Sequence, residues 1–143
     1  MLRVLDLFSG IGGFSLGLEW AGGFRTVAFC EIDRYCQKVL KKHWCNAPII
    51  PDIRDERLKE IQADVITGGF PCQPVSCAGK RRGTEDDRWL WPEMLAVISA
   101  VRPTWVIGEN VTGIVRMVKS VVYAKVESRT LTRTPDYDLY KAV

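Results

Sequence analysis

Apolar residues in this chain fall into short runs separated by turn-forming residues. Leu2 to Leu7 is nearly all apolar around Arg3, while Ala63 to Thr67 and Thr104 to Gly108 are short and rich in β-branched side chains. Runs of this length suit strands buried on both faces of a parallel sheet better than helices. Thr26 to Cys30 and Ile49 to Ile53 read the same way, the latter breaking into a turn at Pro51. Helical patterns lie between them. Ser15 to Trp20 continues one that stops at Gly22-Gly23, and Arg34 to Trp44 sets Tyr35, Val39 and Leu40 on one side with lysines on the other. Arg54 to Gln62 is a charged, loosely helical connector, and Pro92 to Ala100 is helical with its proline in the first turn. Strands and connectors alternate, which predicts a doubly wound α/β sheet.

In open α/β sheets ligands bind outside the carboxyl ends of the strands, so the residues just past each run are the ones to read for chemistry. The first run opens into Phe8-Ser9-Gly10-Ile11-Gly12-Gly13-Phe14, a glycine-rich turn before a helix. Small residues there let backbone N–H groups face a ligand, although a tight turn alone would also use them. The second run ends in Glu31-Ile32-Asp33. An acid about 20 residues past a glycine loop is where nucleoside-binding domains place the carboxylate for ribose hydroxyls. Asp33 is equally a good helix N-cap, and both roles are compatible. The run Ala63 to Thr67 leads into Gly68-Gly69-Phe70-Pro71-Cys72-Gln73-Pro74. Free cysteines are usually inert packing, but two prolines and two glycines around Cys72 fix a rigid turn that packing does not require. The last run closes on Glu109-Asn110-Val111.

Composition narrows the setting. A chain of 143 residues is about one domain, and 47% hydrophobic with 26% charged residues excludes disordered and collagen-like classes. A net charge of +3 permits a nucleic-acid partner without requiring one. No apolar window approaches a membrane span and Met1 runs straight into the first strand, so neither signal peptide nor anchor is expected and the default location is cytoplasmic. Five cysteines with no Cys-x-x-Cys pair argue for reduced thiols, and His43 with Cys45 does not make a metal site.

In order along the chain, Asp6-Leu7-Phe8-Ser9-Gly10-Ile11-Gly12-Gly13-Phe14, Gly69-Phe70-Pro71-Cys72-Gln73-Pro74 and Glu109-Asn110-Val111 resemble three motifs of the DNA cytosine-5 methyltransferases. The resemblance covers residues 2 to 114 and implies a Rossmann-like methyltransferase sheet with S-adenosylmethionine as cofactor. It further implies that Phe8, Gly10, Gly12 and Gly13 line the cofactor, that Glu31 takes its ribose hydroxyls and that Ile32 flanks its adenine. Asp52 and Ile53 would reach the adenine edge, Phe70 and Pro71 would close the pocket, and Leu90 would lie near the cofactor. Cys72 matches the family's nucleophile and Glu109 its acid, with Asn110 holding the glutamate's surroundings. Gln73 and Ser76 would meet the nucleic acid. So would Lys80, Arg81 and Arg82, in a glycine-flanked loop that matches the one closing over DNA; a solvated charge run is the competing account of those three cations.

After Ile114 the motif pattern departs from the family: no Gln-x-Arg-x-Arg follows the glutamate motif, and no region for reading the target sequence appears. The expectation is a catalytic cofactor domain at 1–114, a divergent tail at 115–143 and a sheet incomplete on its C-terminal side. Alone, such a chain should turn over little, and it should self-associate or require a completing half. A cofactor-binding module without catalysis and a tRNA cytosine-5 methyltransferase of the same family are the alternative readings.

Overall fold

The computed structural model describes residues 1–71 and 90–110; Cys72, Gln73, Ser76, Lys80, Arg81, Arg82 and the tail from residue 111 lie outside the described residues. Met1–Val111 form one compact unit. The five strands are β1 (Leu2–Leu7), β2 (Phe24–Cys30), β3 (Ile49–Ile50), β4 (Val65–Gly68) and β5 (Trp105–Gly108). They are connected through α1 (Gly13–Ala21), α2 (Arg34–His43), a 3₁₀ segment (Glu56–Glu60) and α3 (Trp91–Val101). They pair in the order β3-β2-β1-β4-β5, all in parallel. The chain starts in the middle of the sheet, builds outward to β3, then returns to build on the other side of β1. With right-handed crossovers, that reversal leaves a crevice beyond the carboxyl ends of β1 and β4.

Central position explains the apolar character of the strands. Val4, Leu5 and Leu7 of β1 are wholly buried, as are Ala28 and Phe29 of β2 and Ile66 of β4. Leu40 of α2, Leu58 of the 3₁₀ segment and Met94 and Val97 of α3 close over them. The sequence patterns locate every element to within a few residues, with two differences. The Arg54 to Gln62 connector condenses into a 3₁₀ segment started by Asp55, whose carboxylate accepts from the Arg57 N–H. Tyr35 belongs to solvent, 71% exposed, because it stands in the first turn of α2, before the helix meets the sheet at Leu40.

On the far side β5 is the last strand of the sheet among the described residues, and Trp105 is 63% exposed there. No helix among the described residues is long and apolar enough to cross a membrane.

Candidate functional site

The glycine turn after β1 is pinned at several points. The Ser9 N–H donates to the Cys30 carbonyl, and its hydroxyl lies 2.6 Å from the Asp6 carbonyl. Phe8, with a φ of 53°, takes a left-handed conformation that a non-glycine residue adopts only when its surroundings impose it. Gly10 also has positive φ, and its N–H donates to Oε2 of Glu31 at 2.7 Å. The other oxygen, Oε1, accepts from the Asp33 N–H at 2.7 Å. Glu31 is buried, so its carboxylate is fixed in place before any ligand arrives. Each oxygen can accept more than one hydrogen bond, which leaves capacity for a ligand hydroxyl. Asp33 performs the capping expected of it, accepting from the Tyr35 and Cys36 N–H groups at the start of α2.

Glu31 stands at one wall of a cavity of about 280 Å³ beyond the carboxyl ends of the strands. Phe8, Ile32, Asp52, Ile53, Pro71 and Leu90 line it with Glu31, all of them residues singled out from the sequence. Cys30, Pro51, Arg54 and Gly69 complete the lining. Burial pushes the Cys30 thiol up to about 12, so it stays a neutral wall atom rather than a nucleophile. Asp52 is oriented by its own turn, Oδ1 accepting from the Arg54 N–H at 2.9 Å.

Four residues expected around the cofactor are absent from this lining. Gly10 reaches it only through its bond to Glu31. Gly12 is buried against Trp44 and Leu40, where an added Cβ would come within 2.7 Å of the Trp44 ring. Its lack of a side chain is thus accounted for by packing beneath the turn. Gly13 begins α1 with open space where a Cβ would be. Phe70 is buried, its ring 5.1 Å from that of Trp91 at the start of α3.

The end of β5 meets the segment that leads to Cys72. The Glu109 N–H donates to the Gly68 carbonyl at 3.0 Å, and the Asn110 amide donates to the Phe70 carbonyl at 2.8 Å. The Glu109 carboxylate stands over Gly69, Oε2 being 3.2 Å from where a Cβ would sit. A side chain at 69 would press on that carboxylate, so the second glycine of the pair leaves room for Glu109.

Beneath the crevice lies a residue that strand periodicity passes over. Asp6 is completely buried in β1, and its carboxylate accepts from the Ser15 hydroxyl of α1 at 2.8 Å and the Thr67 hydroxyl of β4 at 2.6 Å. Burial raises its carboxyl above the ordinary range; the two hydroxyls favour the anion, and nearby Glu31 disfavours it. A lone acid inside an apolar central strand must find internal partners, and that was the signal available in the sequence.

The family model for C-5 cytosine-specific DNA methylases matches residues 2–133, past the point where the motif resemblance stops. Among similar proteins is the type II methyltransferase M.HgiBI of Herpetosiphon aurantiacus, 41% identical over 116 residues, which make up 79% of this chain and 26% of that protein. Another is the type II methyltransferase M.Bsp6I of Bacillus sp. (strain RFL6), 38% identical over 118 residues, 80% of this chain and 38% of that protein. The crystal structure of the S. pombe Dnmt2 methyltransferase superposes with a TM-score of 0.68 at 25% identity, covering 88% of this chain and 41% of that one. The chain therefore spans well under half the length of these relatives. With the glycine turn, the Gly68 to Pro71 segment and the Glu-Asn pair at neighbouring strand ends and the family model matched over most of its length, the chain belongs to the C-5 cytosine-specific DNA methylases.

Proposed function

We propose that this chain is the cofactor-binding and catalytic part of an enzyme that methylates carbon 5 of cytosine in DNA. The observation that carries the reading is the junction of two motifs beside one cavity. Asn110 and Glu109 are bonded to the Gly68 to Phe70 backbone, and the next residue, Pro71, lines the cavity whose wall holds Glu31.

S-adenosylmethionine, when bound, supplies an electrophilic methyl group. The residues present fit it: an apolar slot between Ile32, Ile53, Pro71 and Leu90 suits a purine, Asp52 at its edge suits the amino group, and the fixed Glu31 carboxylate suits ribose hydroxyls. Carbon 5 of cytosine is a poor nucleophile until a thiolate adds to carbon 6. Cys72 supplies that thiolate, its sulfur bonding to carbon 6 as the ring electrons move toward carbon 5. Glu109 holds a proton at N3 of the base, which balances charge moving into the ring. Asn110 fixes the turn ahead of Cys72. After methyl transfer, loss of the carbon 5 proton and expulsion of the Cys72 sulfur restore the aromatic ring. A stacked base cannot reach these groups, so the cytosine is flipped out, with Gln73, Ser76, Lys80, Arg81 and Arg82 as its nucleic-acid contacts. Residues 1–114 form the working domain. Because β5 ends the sheet among the described residues and such an edge is a template for association, the chain alone self-associates, and without a target-reading region it turns over little.

Covalent trapping on a duplex containing 5-fluorocytosine, with S-adenosylmethionine and with or without the C-terminal part of a relative, tests the chemistry. A tRNA arm separates the two substrate classes. The adduct is expected with DNA and lost in Cys72→Ala. An adduct that survives this change, or one formed with tRNA alone, overturns the assignment.

A further inference from the structure

The chain as a whole carries a net charge of +3, while α2 alone has four cations (Arg34, Lys38, Lys41, Lys42) and no acid. Taking that +4 away leaves the rest of the chain at −1, so α2 is a local concentration of positive charge without an acid, alongside a basic tail of six cations and three acids over 115–143. Among the described residues outside α2, four of the six cations are in ion pairs: Arg3 with Asp64, Arg54 with Asp52 and Glu93, Arg57 with Asp55, Lys59 with Glu56. No ion pair among the described residues involves α2. Arg34, Lys38 and Lys41 fall at helical spacing and line one groove along the β3 edge of the sheet, with Gln37 and Asn46 between them. All three are exposed.

The helix does not account for this arrangement. Cations in the last turn complement the helix dipole, which explains Lys41, Lys42 and His43. Arg34 stands in the first turn, where the dipole disfavours positive charge, and like charges three and four residues apart repel. A polyanion running along the groove would offset both. The stripe from Arg34 to Lys41 is about 10 Å long at helical rise and matches about three successive phosphates of one strand. It also begins at the crevice, because Arg34 follows two residues after Ile32 of the cavity lining.

We propose that the Arg34, Lys38 and Lys41 stripe is a second nucleic-acid contact, gripping the sugar–phosphate backbone of duplex DNA that flanks the target base. The surface reads no sequence; it adds affinity and fixes the direction in which the duplex leaves the crevice. The proposal rests on the DNA reading above but not on the assignment of Cys72.

The test is fluorescence anisotropy of the full chain on a poly(dA)·poly(dT) duplex, which contains no cytosine, across a series of salt concentrations. Lys38→Gln with Lys41→Gln should lower the slope of log affinity against log salt by about 2 and weaken binding at 0.1 M salt at least about tenfold. The control is Arg57→Gln with Lys59→Gln, which removes the same charge from cations paired with Asp55 and Glu56. It should leave the slope nearly unchanged. Equal losses from both pairs would reduce the effect to net charge and overturn the proposal. No loss from either would do the same, as would an α2 dependence seen only with phosphatidylserine vesicles. Intact α2-dependent duplex binding alongside failed 5-fluorocytosine trapping would sink the methyl-transfer reading while supporting this surface.

Discussion

Gly12 and Gly13 are adjacent, and the motif resemblance gives both to the cofactor, yet the structure separates them. Gly12 has a φ of +90°, and a Cβ there would lie 2.7 and 2.8 Å from two ring atoms of Trp44 and 2.9 Å from Leu40 Cδ2. Neither neighbour yields easily. The Trp44 indole packs on Phe29 with centroids 5.2 Å apart and donates to Glu19 Oε2 at 2.9 Å, and Leu40 is fully buried. In Gly12→Ala the left-handed backbone costs about 1–2 kcal/mol and overpacking about 1–3 kcal/mol, together a large share of a typical domain's 5–15 kcal/mol. Gly13 has no neighbour within 4 Å of a Cβ, so Gly13→Ala at the start of α1 should leave stability within about 1 kcal/mol of the parent. Urea unfolding without ligand, followed by tryptophan fluorescence, measures both. A Gly12→Ala chain as stable as the parent, or a Gly13→Ala chain that loses more, would refute the packing argument. Calorimetric titration with S-adenosylhomocysteine on the folded Gly13 variant then reports what that position does for the ligand.

Replacing Glu31 by Ala removes the acceptor for the Gly10 and Asp33 N–H groups and the one proposed for the ribose hydroxyls; a loss of about 1.5–3 kcal/mol in S-adenosylhomocysteine binding is expected, and unchanged affinity by calorimetry contradicts the assignment. Asn110→Ala breaks the bond to the Phe70 carbonyl and should cost about 1 kcal/mol of stability while slowing adduct formation on 5-fluorocytosine; a variant trapping at the parental rate removes its positioning role. Asp64 is held down at about 2 by hydrogen bonds from Arg3, so its contribution is present above the ordinary carboxylate range near 4 and is lost as pH falls toward 2. Urea midpoints at pH 5 and pH 2.5 should therefore converge in Arg3→Gln relative to the parent, and an identical pH dependence in both counts against the pair. Asp6 has the opposite sign: its raised carboxyl makes the charged form a burden that acid relieves, so Asp6→Asn should steepen the acid-side fall in stability.

Much of the site was legible because its parts are local. A glycine turn, a strand and a helix within twenty residues announce themselves by residue type, and the carboxyl-end rule then places Glu31, Asp52 and Pro71 on one side of the sheet, where one cavity brings them together. Periodicity gives a face but not a neighbour. It made Tyr35 a covering residue, since nothing in the spacing of α2 reveals where the helix first meets the sheet. The motif resemblance gave Gly12 to the ligand, and its packing on Trp44, far along the chain, could not be read there because the two meet only through the fold. The four cations of α2 could be counted in the sequence, but that three of them line one groove, outside any ion pair among the described residues, is seen only in the fold.

Asp6 ties two strand ends of the crevice to one buried group. Its strand ends in the glycine turn, and its carboxylate accepts from Ser15 in the helix that follows that turn. The same carboxylate accepts from Thr67, at the end of the strand that leads to Pro71. The glycine turn after β1 and the segment after β4 are therefore tied together at a single side chain with no access to water. Removing one partner of such a network leaves a buried polar group unsatisfied, which costs more than the bond itself contributes.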